Sequence, residues 1–192
     1  SSYKGNDGNS PLSDDSITVT VKETGKVEPV YTFGGYTRRF VNEVRAKGAT
    51  PILFTLTPRN DYEAFDTTRI QRKLTSFTPW IKALGKELNV PVIDLNDISA
   101  LKLERYGKWK TNYHFFRDKI HSSEFGAQMN AASAAEGILA SDDPQLAELR
   151  SYILTDKVYP KPLPNTEGKD EVDKNGQKKR KPRVLLTGDS TV

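Results

Sequence analysis

Short runs of apolar residues alternate with stretches of helical periodicity along most of this chain. Two runs, 51–56 and 90–95, are dominated by apolar residues and end in polar ones, which is typical of strands buried on both faces of a parallel sheet. A third apolar run, 183–187, stands near the end of the sequence. Strands that alternate with helices predict an α/β fold with parallel strands.

The intervening stretches predict the helices. We expect Asp97 to cap a short helix that ends at Tyr106, and Ser122 or Ser123 to cap an alanine-rich one. An alternating stretch, Ile17–Val21, predicts a short strand or an extended edge. In full, the helical predictions cover 36–47, about 65–88 with an interruption near Pro79, 97–106, 124–140 and 144–154.

Composition divides the chain into one main domain and a tail. At 192 residues a single domain is the default, and residues 1–154 are expected to form its main part. Residues 155–182 are rich in Pro, Gly, Lys and Asp and lose all periodicity, so they predict a linker. Residues 183–192 then return to a strand followed by a polar turn.

Charge and composition exclude several classes of function. The net charge of +4 owes much to a basic run at 178–183, which lies in the linker without interleaved aromatic residues. This run favours a solvated connector over a nucleic-acid site. The chain has no cysteine, which excludes disulfides, a cysteine nucleophile and a cysteine metal site. No stretch approaches the roughly 18 apolar residues of a membrane-spanning helix, so we expect no membrane partner.

The turn after the last apolar run carries a candidate nucleophile, Ser190. It stands in Gly188-Asp-Ser-Thr-Val192, at the carboxyl end of a predicted strand, where open α/β sheets place their ligands. Gly188 permits a tight turn, and Asp189 can cap it. Taken alone, the tripeptide Gly-Asp-Ser is more often just a turn.

Asp118 and His121 form a candidate pair to activate that serine. Serine is a poor nucleophile at neutral pH and needs a general base, usually an imidazole oriented by a carboxylate. A spacing of three residues places both groups on one loop, beside the start of the predicted helix at 124–140. The other histidine, His114, lies among aromatic residues, which favours a packing role.

Together these motifs resemble the SGNH (GDSL-type) hydrolase superfamily. More narrowly, they are similar to the rhamnogalacturonan acetylesterases and related bacterial esterases of plant polysaccharides. The resemblance covers residues 22–140 and 183–192. Its motifs are Gly188–Val192, Val30–Tyr36, Lys47–Ile52, Thr57–Asn60, Val92–Leu95 and Asp118–Ala127.

The resemblance implies a flavodoxin-like, three-layer α/β/α fold and a serine esterase secreted or exported to the periplasm. Ser190 would attack the acetyl group of a pectic rhamnogalacturonan, with His121 as base and Asp118 orienting it. The Ser190 amide and Asn6 would form the oxyanion hole, and Arg59 and Asn60 would contact the sugar. No metal or organic cofactor is implied, and the oligomeric state is left open.

The order of the motifs departs from the family. There the Gly-Asp-Ser block opens the domain, and a Gly-His-Asn-Asp block supplies an oxyanion asparagine; here Lys4-Gly5-Asn6-Asp7 is the nearest equivalent. The order fits a circular permutant that lacks its middle, a junction between two esterase repeats, or one piece of a swapped assembly. For a repeat junction, Ser190 and His121 belong to different active sites.

Two other functions stay open on the sequence. The lack of the Gly-His-Asn-Asp block suits a degenerate, non-catalytic module that binds polysaccharide. The same esterase chemistry would also suit acetylxylan or another ester, with lipid esters disfavoured because few apolar residues cluster near the motifs.

Overall fold

Helices and short strands alternate throughout the part of the chain that the computed structural model describes, residues 10–72 and 77–154. In chain order the elements are β1 (Ser16–Thr20), β2 (Val27–Tyr31), α1 (Phe33–Ala46), β3 (Leu53–Phe54), α2 (Phe77–Leu88), β4 (Val92–Ile93), α3 (Leu95–Tyr106), α4 (Lys108–Lys110), α5 (Glu124–Ala140) and α6 (Ala147–Tyr152). Short 3₁₀ turns precede β1 and α6, and a π-helical turn, Thr111–Phe115, follows α4.

The central feature is a parallel pair of strands with helices on both faces. Leu53 pairs with Val92 and Phe54 with Ile93. Val92 and Ile93 are consecutive, so their side chains point to opposite faces of the pair. A side chain at Gly85 of α2 would overlap Val92, and one at Gly137 of α5 would overlap Ile93. The two helices therefore cover opposite faces, which confirms the predicted α/β/α layering in the described residues.

A buried apolar cluster lies on the α5 side of this pair. Ile93, Ile138 and Leu146 are buried there and form one cluster. Phe54 and Ile52 pack onto the same cluster, as expected for residues two apart on a strand. The cluster thus joins both strands to α5 and to the turn before α6.

The predicted burial of the strand at 51–56 was wrong. Only Leu53 and Phe54 pair as a strand, and both are half-buried. Within the described residues β3 has one neighbouring strand, β4, and so lacks the cover that a strand in the middle of a sheet receives.

The first two strands form a separate antiparallel hairpin, in which Ser16 pairs with Tyr31 and Thr20 with Val27. The alternating stretch at 17–21 is confirmed as β1. Strand β2 was not predicted, because Pro29 interrupts its apolar pattern. Proline is compatible with an edge strand, and each strand of a two-stranded sheet is an edge.

The helix predicted over 65–88 is only half correct. Residues 65–72 belong to an irregular loop that is closed by a bridge between Tyr62 and Ile70, and α2 begins at Phe77. Pro79 does not interrupt the helix, because it lies in the first turn, where backbone N–H groups have no partner within the helix.

The other predicted helices are present, and the capping residue differs from the prediction in one of them, α3. α1, α5 and α6 lie where periodicity placed them, and Ser123 caps α5. The cap of α3 is Asp94 instead of Asp97, since the Asp94 carboxylate accepts a hydrogen bond from the Asp97 amide. The helix therefore starts directly after β4. In the described residues no helix combines the length and apolar character needed to span a membrane.

The contact between α2 and β4 gives a test of the layering. Gly85→Ala adds a methyl group where Val92 already lies, so we expect the free energy of unfolding to fall by about 1–3 kcal/mol. The higher helix propensity of alanine should offset up to about 1 kcal/mol of this loss. Val92→Ala frees the space, so the double variant should lose less stability than the sum of the single variants. Urea unfolding of all three proteins measures this coupling.

Lys86→Ala, on the exposed face of the same helix, is the matched control, and it should be additive with Val92→Ala. If the losses in unfolding free energy of Gly85→Ala and Val92→Ala also added strictly, α2 would not pack on β4 at this point.

Candidate active site

Asp118 and His121 lie in a tight hairpin between the π-helical turn and α5. A bridge between Phe116 and Ser122 closes the hairpin, and the Arg117 amide donates to the His121 carbonyl over 2.9 Å. Both functional side chains are exposed, Asp118 by 53% and His121 by 60%. The predicted pair is therefore accessible to a large substrate.

The Asp118 carboxylate organises this hairpin. One oxygen, Oδ1, accepts hydrogen bonds from the amides of Ile120 (2.6 Å) and His121 (2.7 Å). The other, Oδ2, lies 2.6 Å from Nδ1 of the His121 ring. These bonds lower the pKa of Asp118 from 3.8 to about 2, with the imidazole contact as the largest cause. Asp118 is therefore ionised at any pH at which an esterase works.

This geometry sets the chemistry of the imidazole. An ionised carboxylate accepts hydrogen bonds only, so a neutral His121 carries its proton on Nδ1. The lone pair then lies on Nε2, at the end of the ring away from Asp118. Such an imidazole is ready to accept a proton from a hydroxyl group.

The start of α5 fixes the hairpin to the rest of the molecule. The Ser123 hydroxyl caps the helix by accepting from the Gly126 amide, and it donates to the His114 carbonyl. The Ser123 amide donates to the Phe115 carbonyl over 2.8 Å. A side chain at Gly126 would overlap that same carbonyl oxygen. Because Gly126 has no side chain, the start of α5 can lie directly against the backbone of Phe115.

The loop after β3 meets the hairpin. The Asn60 amide donates to the Lys119 carbonyl over 2.9 Å, and the Asp61 carboxylate lies 3.4 Å from the Lys119 ammonium. The structure therefore brings the predicted sugar-contacting residues, Arg59 and Asn60, beside the predicted catalytic pair. The Asn60 Oδ1 atom is buried and accepts no hydrogen bond from the described residues.

A second polar group lies at the carboxyl ends of β3 and β4. The Thr55 hydroxyl donates to the Asp94 carboxylate (2.9 Å) and accepts from the Asn96 amide (2.8 Å). Burial raises the pKa of Asp94, but hydrogen bonds from Lys82 and Thr55 outweigh it and leave the pKa below its ordinary value. Asp94 is thus an ionised anchor that joins the two strand ends and α3.

An open cavity of about 590 Å³ adjoins this group. Its basic residues are largely neutralised, because Arg72 pairs with Glu104 and Asp97, and Lys82 pairs with Asp94. Asp118 and His121 do not line the cavity. Asp94 and Asn96 of the strand-end group thus line a cavity that the predicted catalytic pair does not reach.

The remaining predicted site residues are Ser190, Asn6 and the alternative histidine, His114. Ser190 and Asn6 lie outside the described residues. His114 has its predicted packing role, since its ring contacts Tyr113 and Phe125 edge-on. Within residues 10–72 and 77–154, no cluster of three or more metal-ligating side chains occurs.

Sequence reasoning missed the roles of Thr55, Asp94 and Asn96. The available signal was their position, because Thr55 and Asp94 lie near the ends of the runs 51–56 and 90–95 and Asn96 directly follows the second run. These ends meet at the same edge of a parallel sheet. Their hydrogen bonds depend on strand register, which the sequence pattern does not specify.

Comparison with known proteins gives a partial match. No protein-family model matches the chain. Over 125 residues the chain is 33% identical to rhamnogalacturonan acetylesterase RhgT of Bacillus subtilis strain 168, which covers 58% of this chain and 53% of that protein. The chain thus spans about half the length of this curated relative. The resemblance to rhamnogalacturonan acetylesterases is confirmed by this match.

Among solved structures, the chain is similar to protein YxiM of Bacillus subtilis. The two are 27% identical, with a TM-score of 0.49, and the similarity covers 53% of this chain and 29% of that one.

The hydrogen bonds of Asp118 predict how its titration responds to mutation. In His121→Ala the largest cause of the low pKa is removed, so we expect the pKa of Asp118 to rise from about 2. It should stay below 3.8, because the amides of residues 120 and 121 still donate to Oδ1. The measurement is a pH titration of the Asp118 carboxyl carbon by NMR.

The sign of the effect on stability follows from the lowered pKa. The stabilisation from ionised Asp118 is fully present above pH 3.8 and is lost as the pH falls towards about 2.

In the titration of His121→Ala, an Asp118 pKa that stays at about 2 would contradict the imidazole contact. A pKa of 3.8 would contradict the backbone bonds.

Proposed function

We propose that this chain, similar over 125 residues to a rhamnogalacturonan acetylesterase, is a carboxylic ester hydrolase that removes acetyl groups from a plant cell-wall polysaccharide. The observation that carries the proposal is the 2.6 Å contact between the Asp118 carboxylate and His121 Nδ1. This contact prepares Nε2 to act as a general base on an exposed surface. The nucleophile we assign is Ser190.

The proposed reaction has two steps. His121 Nε2 takes the proton of the Ser190 hydroxyl as the serine oxygen attacks the acetyl carbonyl carbon. The tetrahedral intermediate collapses, the sugar oxygen leaves with the proton from His121, and Ser190 is acetylated. Water then attacks the acetyl group with His121 again as base, which releases acetate and regenerates the serine.

The negative oxygen of the intermediate needs hydrogen-bond donors. We assign the Ser190 backbone amide and the side chain of Asn6 to this oxyanion hole. Loss of one such donor typically costs about 10²–10³ in rate. The side chain of Asn6 is therefore assigned a smaller share of the rate than the histidine.

The proposed substrate is acetylated pectic rhamnogalacturonan. Two observations support it: the similarity to RhgT, a rhamnogalacturonan acetylesterase, and the position of Arg59 and Asn60. The Asn60 amide is bonded to the catalytic hairpin, so these two residues can contact a sugar whose acetyl group lies at His121. A polymer outside the cell implies a secreted or periplasmic protein.

A second candidate function is a non-catalytic module that binds polysaccharide. The specific observation in its favour is the absence of a Gly-His-Asn-Asp block, which the acetylesterase resemblance leads us to expect. Covalent labelling by a phosphonate ester separates the two, since an activated Ser190 reacts and a binding module does not.

The test is release of acetate from acetylated rhamnogalacturonan. Ser190→Ala and His121→Ala should each lower kcat by on the order of 10⁴-fold or more, and Asp118→Asn by about 10⁴-fold, because the triad acts as a unit. Lys119→Ala is the matched control, because its side chain lies in the same hairpin, is 80% exposed and makes only a 3.4 Å contact with Asp61, while its backbone carbonyl, which accepts from the Asn60 amide, is kept.

Equal activity of the chain and of Ser190→Ala would overturn the assignment of the nucleophile. Acetate release from acetylxylan but not from rhamnogalacturonan would keep the chemistry and change the substrate.

A further inference from the structure

Two large aromatic side chains are exposed close to the catalytic hairpin. Trp109 and Tyr113 are 66% and 54% exposed. Their rings are parallel to within 4°, with centroids 5.5 Å apart, so they stack with an offset. The spacing of four residues places them on one side of the helical segment that runs from α4 into the π-helical turn. Each ring restrains the other and keeps an outer surface open to solvent.

This aromatic pair is fixed relative to the catalytic hairpin. The ring of His114 contacts Trp109, Tyr113 and also Phe125 of α5. The His114 carbonyl accepts the hydrogen bond of Ser123, two residues after His121. The aromatic pair and the hairpin therefore belong to one packed unit. Their separation along the surface is set by the structure and not by a flexible link.

The surroundings of the pair are strongly basic. Between residues 105 and 119 the basic residues are Arg105, Lys108, Lys110, Arg117 and Lys119, whereas Asp118 is the one acidic residue. In the described part of the chain, no carboxylate pairs with Lys108, Lys110 or Arg117. The Lys108 ammonium lies 5.7 Å from the centroid of the Tyr62 ring, a contact that does not neutralise its charge. The charges of these three residues are thus available to an anionic ligand.

We propose that Trp109 and Tyr113 form a stacking platform for a polysaccharide that carries carboxylate groups, with Lys108 and Lys110 binding those carboxylates. One face of a pyranose ring presents C–H groups with little polarity, which pack against the electron-rich face of an aromatic ring. The adjacent ammonium groups then select an acidic sugar over a neutral one. The chemical class is a uronic-acid polymer.

The choice of a polysaccharide over another polyanion rests on the proposed function. Single-stranded nucleic acid is the other polymer that combines stacking with negative charge. Proteins that bind it stack successive bases along a groove, on one aromatic ring after another. Here the two exposed rings stack on each other, so each offers only its outer face and they do not form a row of stacking surfaces along a groove.

The experiment measures binding, not catalysis. The probe is de-esterified polygalacturonate, which has no acetyl group to hydrolyse, and the method is affinity electrophoresis of the full chain. We expect retardation by polygalacturonate but not by neutral galactan. Trp109→Ala and Tyr113→Ala should each weaken binding about five- to tenfold. Lys108→Ala combined with Lys110→Ala should weaken it and flatten its dependence on salt.

Tyr152→Ala is the matched control, because Tyr152 is 72% exposed on α6, away from the platform in sequence, and it should bind as the unchanged chain does. Thermal unfolding of each variant checks that it is folded, and the double lysine variant tests the site without altering an aromatic residue. Unchanged binding in both aromatic variants would overturn the platform.

Two further outcomes would overturn the choice of ligand. Equal retardation by neutral galactan would contradict the role of the lysines, and tighter binding of a single-stranded oligonucleotide would assign the platform to nucleic acid. Binding of polygalacturonate without acetate release in the esterase assay would leave the platform standing and refute the esterase alone.

Discussion

The close approach of two helices to β4 is the constraint on which the described structure depends. β4 pairs over two residues only, so its ladder of hydrogen bonds cannot hold the strand in place by itself. It is held because α2 and α5 contact its opposite faces at Gly85 and Gly137, where no side chain separates helix from strand. Any larger residue there would push a helix away from the pair and open the apolar cluster around Ile93.

The position of the candidate site follows from this constraint. Packing of α5 on Ile93 fixes the axis of the helix, and its capped start then fixes the hairpin of Asp118 and His121. The loop that follows β3 contacts the same hairpin, because the Asn60 amide donates to the Lys119 carbonyl. Two segments that are about sixty residues apart in sequence thus meet because each is anchored to the same pair of strands.

Sequence patterns predicted those features that depend on local chemistry. The fold class follows from the alternation of strands and helices along the chain. The start of α5 at Ser122 or Ser123 and the contact between Asp118 and His121 follow from residues within one turn of each other. The patterns failed where a distant contact decides the outcome. Residues 65–72 have helical spacing, yet the Ile70 amide and Arg72 bond to the Glu104 carboxylate, which holds this segment as a loop against α3. The local sequence of residues 65–72 does not reveal a conformation that is decided by bonds to a residue more than thirty positions away.

The candidate catalytic pair, Asp118 and His121, is oriented by hydrogen bonds instead of by burial, and this distinguishes it from the strand-end group at Asp94. Asp94 is kept ionised against the effect of burial by Lys82 and Thr55, so it needs the assembled sheet edge. Asp118 is exposed, and every group that lowers its pKa lies within three residues of it. The low pKa of Asp118 therefore depends on the hairpin alone, and the rest of the fold sets where the hairpin lies. The fold also places the Asn60 loop and the aromatic platform beside the hairpin, each held by a hydrogen bond to the backbone at or next to it.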